Sequence, residues 1–508
     1  MMKLTRANIG EIAKLSPIEM PDSTLLQLPE KVIQFGTGVF IRGLIDYLID
    51  KSNRAGIFNG RVIAVKSTDA GDVKSFAEQD CLYTLVMRGL EDNKEKEEVL
   101  VCSAVSRVLS AKEDWDEILK TAHNPDLEII ISNTTEVGIA LVADDNVQSQ
   151  PPLSFPGKLL RYLLERYNAF NGNSDKGFVI VPTELIADNA TKLKAILNEL
   201  AVANKLESGF IQWMNEANDF CNSLVDRIVP GKPLKEDHIA LEALFGYEDN
   251  LMVMSETFAL WAIQSERERT KQILSFSTIH PQIYIVPDIS KFRELKLRLL
   301  NGSHNLTCAV GVIAGFQMVR DAMLDDTFSR YINRLILDEI APSIVSATIT
   351  LEDAREFGSM VLDRYCNQHI AFKWLDICVQ DTSKVKIRAI PIVFQHYEKY
   401  GFVPECISLS LAAYILFMKS EFINGQYIGE ANGKQYRVVD DFADIMYEKW
   451  RSHSGLKLVQ SVLGDVRLWD ADLSAINGLN EKVLFYLGAL VTSSFSEAYK
   501  LLETQNNR

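Results

Sequence analysis

Two short runs, "LEIIISN" (127–133) and "GFVIVPT" (177–183), are apolar at nearly every position. A strand with one solvated face alternates apolar and polar residues, whereas a strand buried on both faces does not. Between these runs lies "SFPGKLLRYLLERYNAF", whose apolar residues recur at helical spacing. Doubly buried strands joined by an amphipathic helix predict a parallel sheet covered by helices. Upstream, "KVIQFG" (31–36) and "GRVIAVK" (60–66) are further strand candidates, with a helical period over 39–53 between them. "LYTLVMRG" (82–89) and "EEVLVCSAV" (97–105) read as a strand pair across a charged turn. Ser110 followed by Glu113 has capping-box spacing for a helix over 110–122.

After about residue 290 the pattern changes. Helical periods run over 290–320, 322–346, 351–365, 383–399, 406–420, 438–452 and 480–503, and 422–441 reads as a polar, Gly-rich loop between helices. The expected fold class is α/β: a Rossmann-like, doubly wound dinucleotide-binding domain over 1–289, then a mostly α-helical substrate and catalytic domain over 290–508. "VPDIS" (286–290) is the expected junction.

A net charge of -15 argues against a nucleic acid or anionic membrane held by a broad positive field. The longest apolar stretches, such as 407–418, fall short of the ~20 residues a membrane helix needs. Seven scattered cysteines without a CxxC fit reduced thiols, and the start has no secretory pattern, so a cytoplasmic location is expected. The histidines form neither HxH nor HExxH, and no metal is expected.

The first strand runs into "QFGTGVFIRG", with Gly36, Gly38, Phe40 and Arg42. A strand, a Gly-x-Gly turn and a helix make a pyrophosphate site: one glycine makes the tight turn, the next lets the ligand approach, and the helix start supplies unpaired N–H groups. Ile41 stands where the usual third glycine would be, and Arg42 either faces phosphate or lies exposed on the helix. After the second strand come Lys66 and Asp69; Asp69 at the ribose favours NAD, and Lys66 at a 2′-phosphate would favour NADP.

"KLRLLNGSH" (296–304) places Lys296, Asn301 and His304 among apolar residues. On an α-helix they point at about 0°, 140° and 80°, within one broad face. Alcohol oxidation without a metal needs a base, donors for an alkoxide-like oxygen and a group that orients the substrate. Lysine can be the base if its pKa moves from ~10.4 towards ~7–8. Asparagine can donate to the oxygen, and neutral histidine can donate to a hydroxyl.

The pattern K-x4-N-x2-H at Lys296, Asn301 and His304, with GxGxFxR at Gly36, Gly38, Phe40 and Arg42, resembles the polyol-specific long-chain dehydrogenases, the mannitol dehydrogenase family. The likeness extends across nearly the whole length, through "AHNPDLEIIISNTTEVGI", "DKGFVIVPTELI" and "LNGSHNLT", and is strongest to members acting on sugar acids. It implies a two-domain NAD-dependent dehydrogenase in which Lys296 is the general acid/base, Asn301 and Asn189 hold the oxygen and His304 positions the substrate. "TEL" stands where many members have "CDN", and Ala190 replaces a glycine after Asn189. "SNTTE", including Asn133, is placed to line the cofactor crevice. A sugar-acid carboxylate calls for a cation: Arg364, within an Arg-x-x-Asn segment, is preferred as the carboxylate or hydroxyl anchor, with Lys384 and Arg388 as further candidates. A different hexonate, a neutral hexitol and a non-catalytic NAD-binding sensor are the alternatives.

Overall fold

In the computed structural model, which describes residues 1–67, 73–134 and 137–505, the continuous apolar runs occupy the centre of a parallel sheet. Its strands are β1 (Glu30–Phe35), β2 (Arg61–Lys66), β3 (Val105–Ser110), β4 (Ile129–Ser132), β5 (Val179–Pro182) and β6 (Asp219–Phe220). They lie side by side in the order β3-β2-β1-β4-β5-β6, all parallel. The register pairs Ile33 with Ile63 on one side and with Ile130 on the other. The chain grows outward from β1 in one direction, then returns and grows in the other, so the strand order switches between β1 and β4. That crevice is where ligands bind in open α/β sheets.

The apolar strands are buried on both faces because alternate residues serve different cores. Ile33, Phe35, Ile63, Ile130 and Ile180 pack with helices α1 (Phe155–Ala169) and α2 (Asn189–Ala203). Val32, Val62, Ile129, Val179 and Val181 pack with Ile41, Leu44, Ile45 and Leu48 on the opposite face. Helix α1 starts where Ser154 accepts a hydrogen bond from Gly157 N–H, with Pro156 in the first turn. The capping box expected at Ser110 does not form. The helix begins at Trp115, and the Asp114 carboxylate accepts from Ser110 N–H at 2.8 Å, turning the chain before the helix can start.

The chain divides into two compact units, Met1–Arg88 with Lys96–Ile289, and Gly89–Glu95 with Ser290–Arg508. The second unit is mostly helical. Helix α3 (Ser290–Leu295) runs through a π-helical stretch, Lys296–Gly302, directly into α4 (Ser303–Ile313). Helix α5 (Leu351–Cys366) opens on a capping box between Thr350 and Asp353. Helices α6 (Asp381–Arg388), α7 (Glu405–Phe417) and α8 (Leu479–Thr492) follow. Helix α7 is buried almost all round, which explains its continuous apolar sequence. Among the described residues no helix is long and apolar enough to cross a membrane.

The segment expected as a loop over 422–441 is instead a three-stranded antiparallel sheet: Ser420–Ile423, Gln426–Ala431 and Lys434–Val438. Its turns are Asn424-Gly425 and Asn432-Gly433, all four residues at positive φ. Two-residue turns of that kind match the twist of a hairpin, and Asn-Gly favours them.

Candidate active site

In the first unit the site forms where β1 and β4 end. Gly36 sits at φ +136°, and a Cβ there would lie 2.8 Å from the Asn133 carbonyl oxygen. Only glycine allows that turn so close to the neighbouring strand. The Gly36 N–H donates to Val65, and the Asn133 N–H donates to Phe35. Gly38 is exposed, and a Cβ on it would meet no protein atom within 4 Å. Its backbone therefore stands open at the start of the helix beginning at Val39, an arrangement suited to pyrophosphate.

Two buried polar residues hold this turn, and the sequence reading overlooked both. Gln34, in the middle of β1, donates from its side-chain amide to the Gly36 carbonyl at 3.1 Å. Glu184, buried after β5, accepts from the Ser132 hydroxyl at 3.0 Å and from the Thr134 N–H and hydroxyl at 2.9 Å each. Asn133 donates to the Thr183 hydroxyl at 3.0 Å. The signal for Gln34 was a polar residue inside a strand with no solvated face.

Other expected residues have different surroundings. Phe40 is half-buried against the core. Arg42 turns away from solvent: it is 8% exposed, donates to the Leu251 carbonyl at 2.7 Å and lies over the rings of Phe76 and Tyr83. It braces the first unit's core rather than presenting its charge to a phosphate. Asn189 is 0% exposed; its amide donates to the carbonyls of Pro182, Glu184 and Ser223, and its oxygen accepts from Ala190 and Ser223. With both amide hydrogens engaged, Asn189 staples the end of β5 to Ser223 and has no donor to spare for an oxyanion. Asp69 lies outside the described residues, and Lys66 ends β2 half-buried.

In the second unit the motif is not on a regular α-helix. Lys296 opens the π-helical stretch and Asn301 lies in it. Hydrogen bonds there link residues five apart, so a turn takes more residues than the 3.6 of an α-helix. The 140° separation expected between Lys296 and Asn301 is thereby narrowed, which brings the two residues towards one side of the helix. His304 follows one turn on, half-buried, its ring 4.7 Å from that of Tyr365 on α5. The Tyr365 hydroxyl in turn lies 3.0 Å from the Ser303 hydroxyl, so α5 fixes the helix beside His304. Arg364, next to Tyr365, is buried in the last turn of α5.

The same helix also grips the end of α6. Arg298 pairs with Glu294 at 2.7 Å and donates to the carbonyls of Ile387 and Arg388 at 2.6 and 2.9 Å. Asn305 donates to Asp381 at 2.7 Å and accepts from Arg388 at 2.9 Å. Burial pushes the Asp381 carboxyl up to about 7, against the opposing effect of that Asn305 bond. Lys384, expected near the substrate carboxylate, donates to the carbonyls of Ile377 and Val379 at 3.2 and 2.6 Å. Its charge is engaged with the end of the preceding short helix, Trp374–Ile377. No three metal-ligating side chains cluster among the described residues.

The family model described as the mannitol dehydrogenase Rossmann domain matches residues 30–274, and that of the mannitol dehydrogenase C-terminal domain matches 288–491. The chain is 37% identical over 466 residues to an altronate oxidoreductase of Bacillus subtilis (strain 168), covering 91% of this chain and 92% of the other. It is 35% identical to an altronate oxidoreductase of Enterobacter sp. (strain 638), covering 93% and 97%. Two solved structures share the fold. One is the Pseudomonas fluorescens mannitol 2-dehydrogenase ternary complex with NAD and D-mannitol (TM-score 0.67, 22% identity, 99% and 100% covered). The other is D-sorbitol dehydrogenase in substrate-free form (TM-score 0.76, 18% identity, 98% and 100% covered). With its glycine turn at Gly36 and its lysine motif on a π turn, and with both family models covering most of its length, this chain belongs to the mannitol dehydrogenase family.

Proposed function

We propose that the protein is an NAD-dependent oxidoreductase that interconverts D-tagaturonate and D-altronate. The observation that carries this reading is the 37% identity over nine-tenths of the chain to an altronate oxidoreductase, together with the π turn that carries Lys296 and Asn301. NAD suits the first unit because the Gly36–Gly38 turn leaves backbone room for a pyrophosphate, with Asn133 at the crevice edge. When bound, the dinucleotide supplies or accepts the hydride.

The remaining chemistry falls to side chains of the second unit. In the reducing direction the Lys296 ammonium gives its proton to the oxygen of the former carbonyl; in the oxidising direction the amine takes it back. Asn301 donates an amide hydrogen to that oxygen, where negative charge develops. The backbone fixes both groups before substrate arrives, so little reorganisation is needed. His304, held against Tyr365, donates to a substrate hydroxyl, and Arg364 serves the hydroxyls beyond it. No step requires a metal. The fully engaged amide of Asn189 leaves the oxyanion to Asn301 on this reading.

A substrate panel tests the proposal: tagaturonate, fructuronate and fructose in one direction, altronate, mannonate and mannitol in the other, each with NADH or NADPH and its oxidised form. Tagaturonate with NADH is expected to give the highest kcat/KM of the reductive set. A higher value for fructuronate or fructose reassigns the substrate, and no turnover with any of them leaves a dinucleotide-binding sensor.

A further inference from the structure

Several cations lie on the helix of the lysine motif and on α6, which it grips, and most have a partner that accounts for them. Arg298 is paired with Glu294, Lys384 caps carbonyls, and Lys386 meets Asp470 at 2.8 Å. Arg388 differs. It is half-buried, yet among the described residues its side chain makes one hydrogen bond, to Asn305, and no ion pair. A guanidinium has five N–H donors in a fixed fork, and a partly desolvated one is costly without an anion.

Three independent contacts fix Arg388 to the helix that carries Lys296, Asn301 and His304. Arg298 holds its carbonyl and that of Ile387. Gly302 lies so close that a Cβ there would be 3.2 Å from the Arg388 carbonyl oxygen. The Asn305 oxygen accepts from the guanidinium, and the Asn305 amide is turned that way because its NH2 end donates to Asp381, which is 0% exposed. Asp381 and Arg388 are the two ends of the same helix, α6. Asn305 therefore reads one end and aims the other, one residue from His304.

We propose that Arg388 binds the carboxylate of the sugar-acid substrate through its remaining N–H donors, with Asn305 and Asp381 as positioning residues, and that it selects a hexonate over a neutral hexitol. A fork of parallel donors matches a carboxylate bidentately. The assignment rests on the reading above that the substrate is a sugar acid.

The test compares D-tagaturonate with D-tagatose, in which a hydroxymethyl group replaces the carboxylate. Arg388→Gln is expected to lower kcat/KM for tagaturonate on the order of 100-fold, mainly through KM, as loss of a desolvated charge partner does. It is expected to leave the tagatose rate and NADH affinity within about threefold. Arg388→Lys retains the charge without the fork and is expected to fall between. Asn305→Ala is expected to raise the tagaturonate KM about tenfold with the same split. Binding of D-altronate and D-altritol to the NADH-loaded enzyme gives the comparison without turnover. Equal losses on charged and neutral ligands, or an unchanged KM for tagaturonate in Arg388→Gln, would overturn the proposal. A wild-type enzyme that ignores tagaturonate would overturn the parent reading instead.

Discussion

The same backbone distortion occurs in both units and does different work in each. In the first, the π-helical stretch Arg42–Asp46 follows the glycine turn, and all five of its residues are buried. In the second, the stretch Lys296–Gly302 keeps Lys296, Leu297 and Asn301 half-buried. The first distortion accommodates polar groups inside a core: Arg42 over two rings, and Asp46 beside Gln34. The second brings Lys296 and Asn301 towards one side of their helix. A π turn is thus no signature of a site by itself; what it brings into line, and whether that lies within reach of solvent, decides its role. Recognition differs as well. On the proposed reading the first unit offers open backbone at Gly38, whereas the second offers the half-buried side chains of Lys296, Asn301 and His304.

The sharpest way to break this contrast is Lys296→Ala. It should lower kcat/KM for tagaturonate about 10²–10⁴-fold while the dinucleotide dissociation constant, from fluorescence titration, stays unchanged. Near-normal turnover would remove the proton-transfer role and with it the distinction between the two turns. The glycine pair gives an intermediate effect. Gly38→Ala meets no protein atom, so stability should hold while NADH affinity falls roughly tenfold. Gly36→Ala collides with Asn133 and needs a left-handed φ, so it should also cost about 1–3 kcal/mol of stability in denaturant titration.

The smallest effect is expected at Asp46, where burial pushes the carboxyl from 3.8 up to about 7. Between those values the folded protein holds a proton that the unfolded chain has released. The contribution to stability is therefore full below pH 3.8 and is lost as pH rises through about 7. Asp46→Asn mimics the neutral form, so above pH 7 it should gain on the order of 1 kcal/mol and show a flatter pH profile. Turnover should not change. A drop in kcat without a change in stability would mean the first π turn serves catalysis after all.

Several features were legible before any coordinates. The doubly apolar strands declared a covered parallel sheet, and Gly36 and Gly38 declared the turn after its first strand. The meander at 420–438 was equally legible through its two Asn-Gly turns, but the polar strands between them carry little of the alternation that marks a buried face. Spacing misled at Ser110, because Asp114 offers the same N–H a nearer acceptor. Charge alone did not reveal the partners of Arg42 and Lys384: the first donates to the distant Leu251 carbonyl, the second to the nearby carbonyls of Ile377 and Val379.

By itself, the sequence determined the α/β class, the glycine turn and a lysine, an asparagine and a histidine of the types suited to a base, an oxygen donor and a substrate anchor, because periodicity and residue chemistry are local properties. Only the tertiary structure decided that a π turn carries Lys296 and Asn301, that Asn189 is fully engaged, and that Arg388 is held by a buried Asp381 through Asn305. Those outcomes depend on which backbone and side-chain groups meet across long stretches of chain, and burial then sets how strongly each unpaired donor or charge must seek a partner.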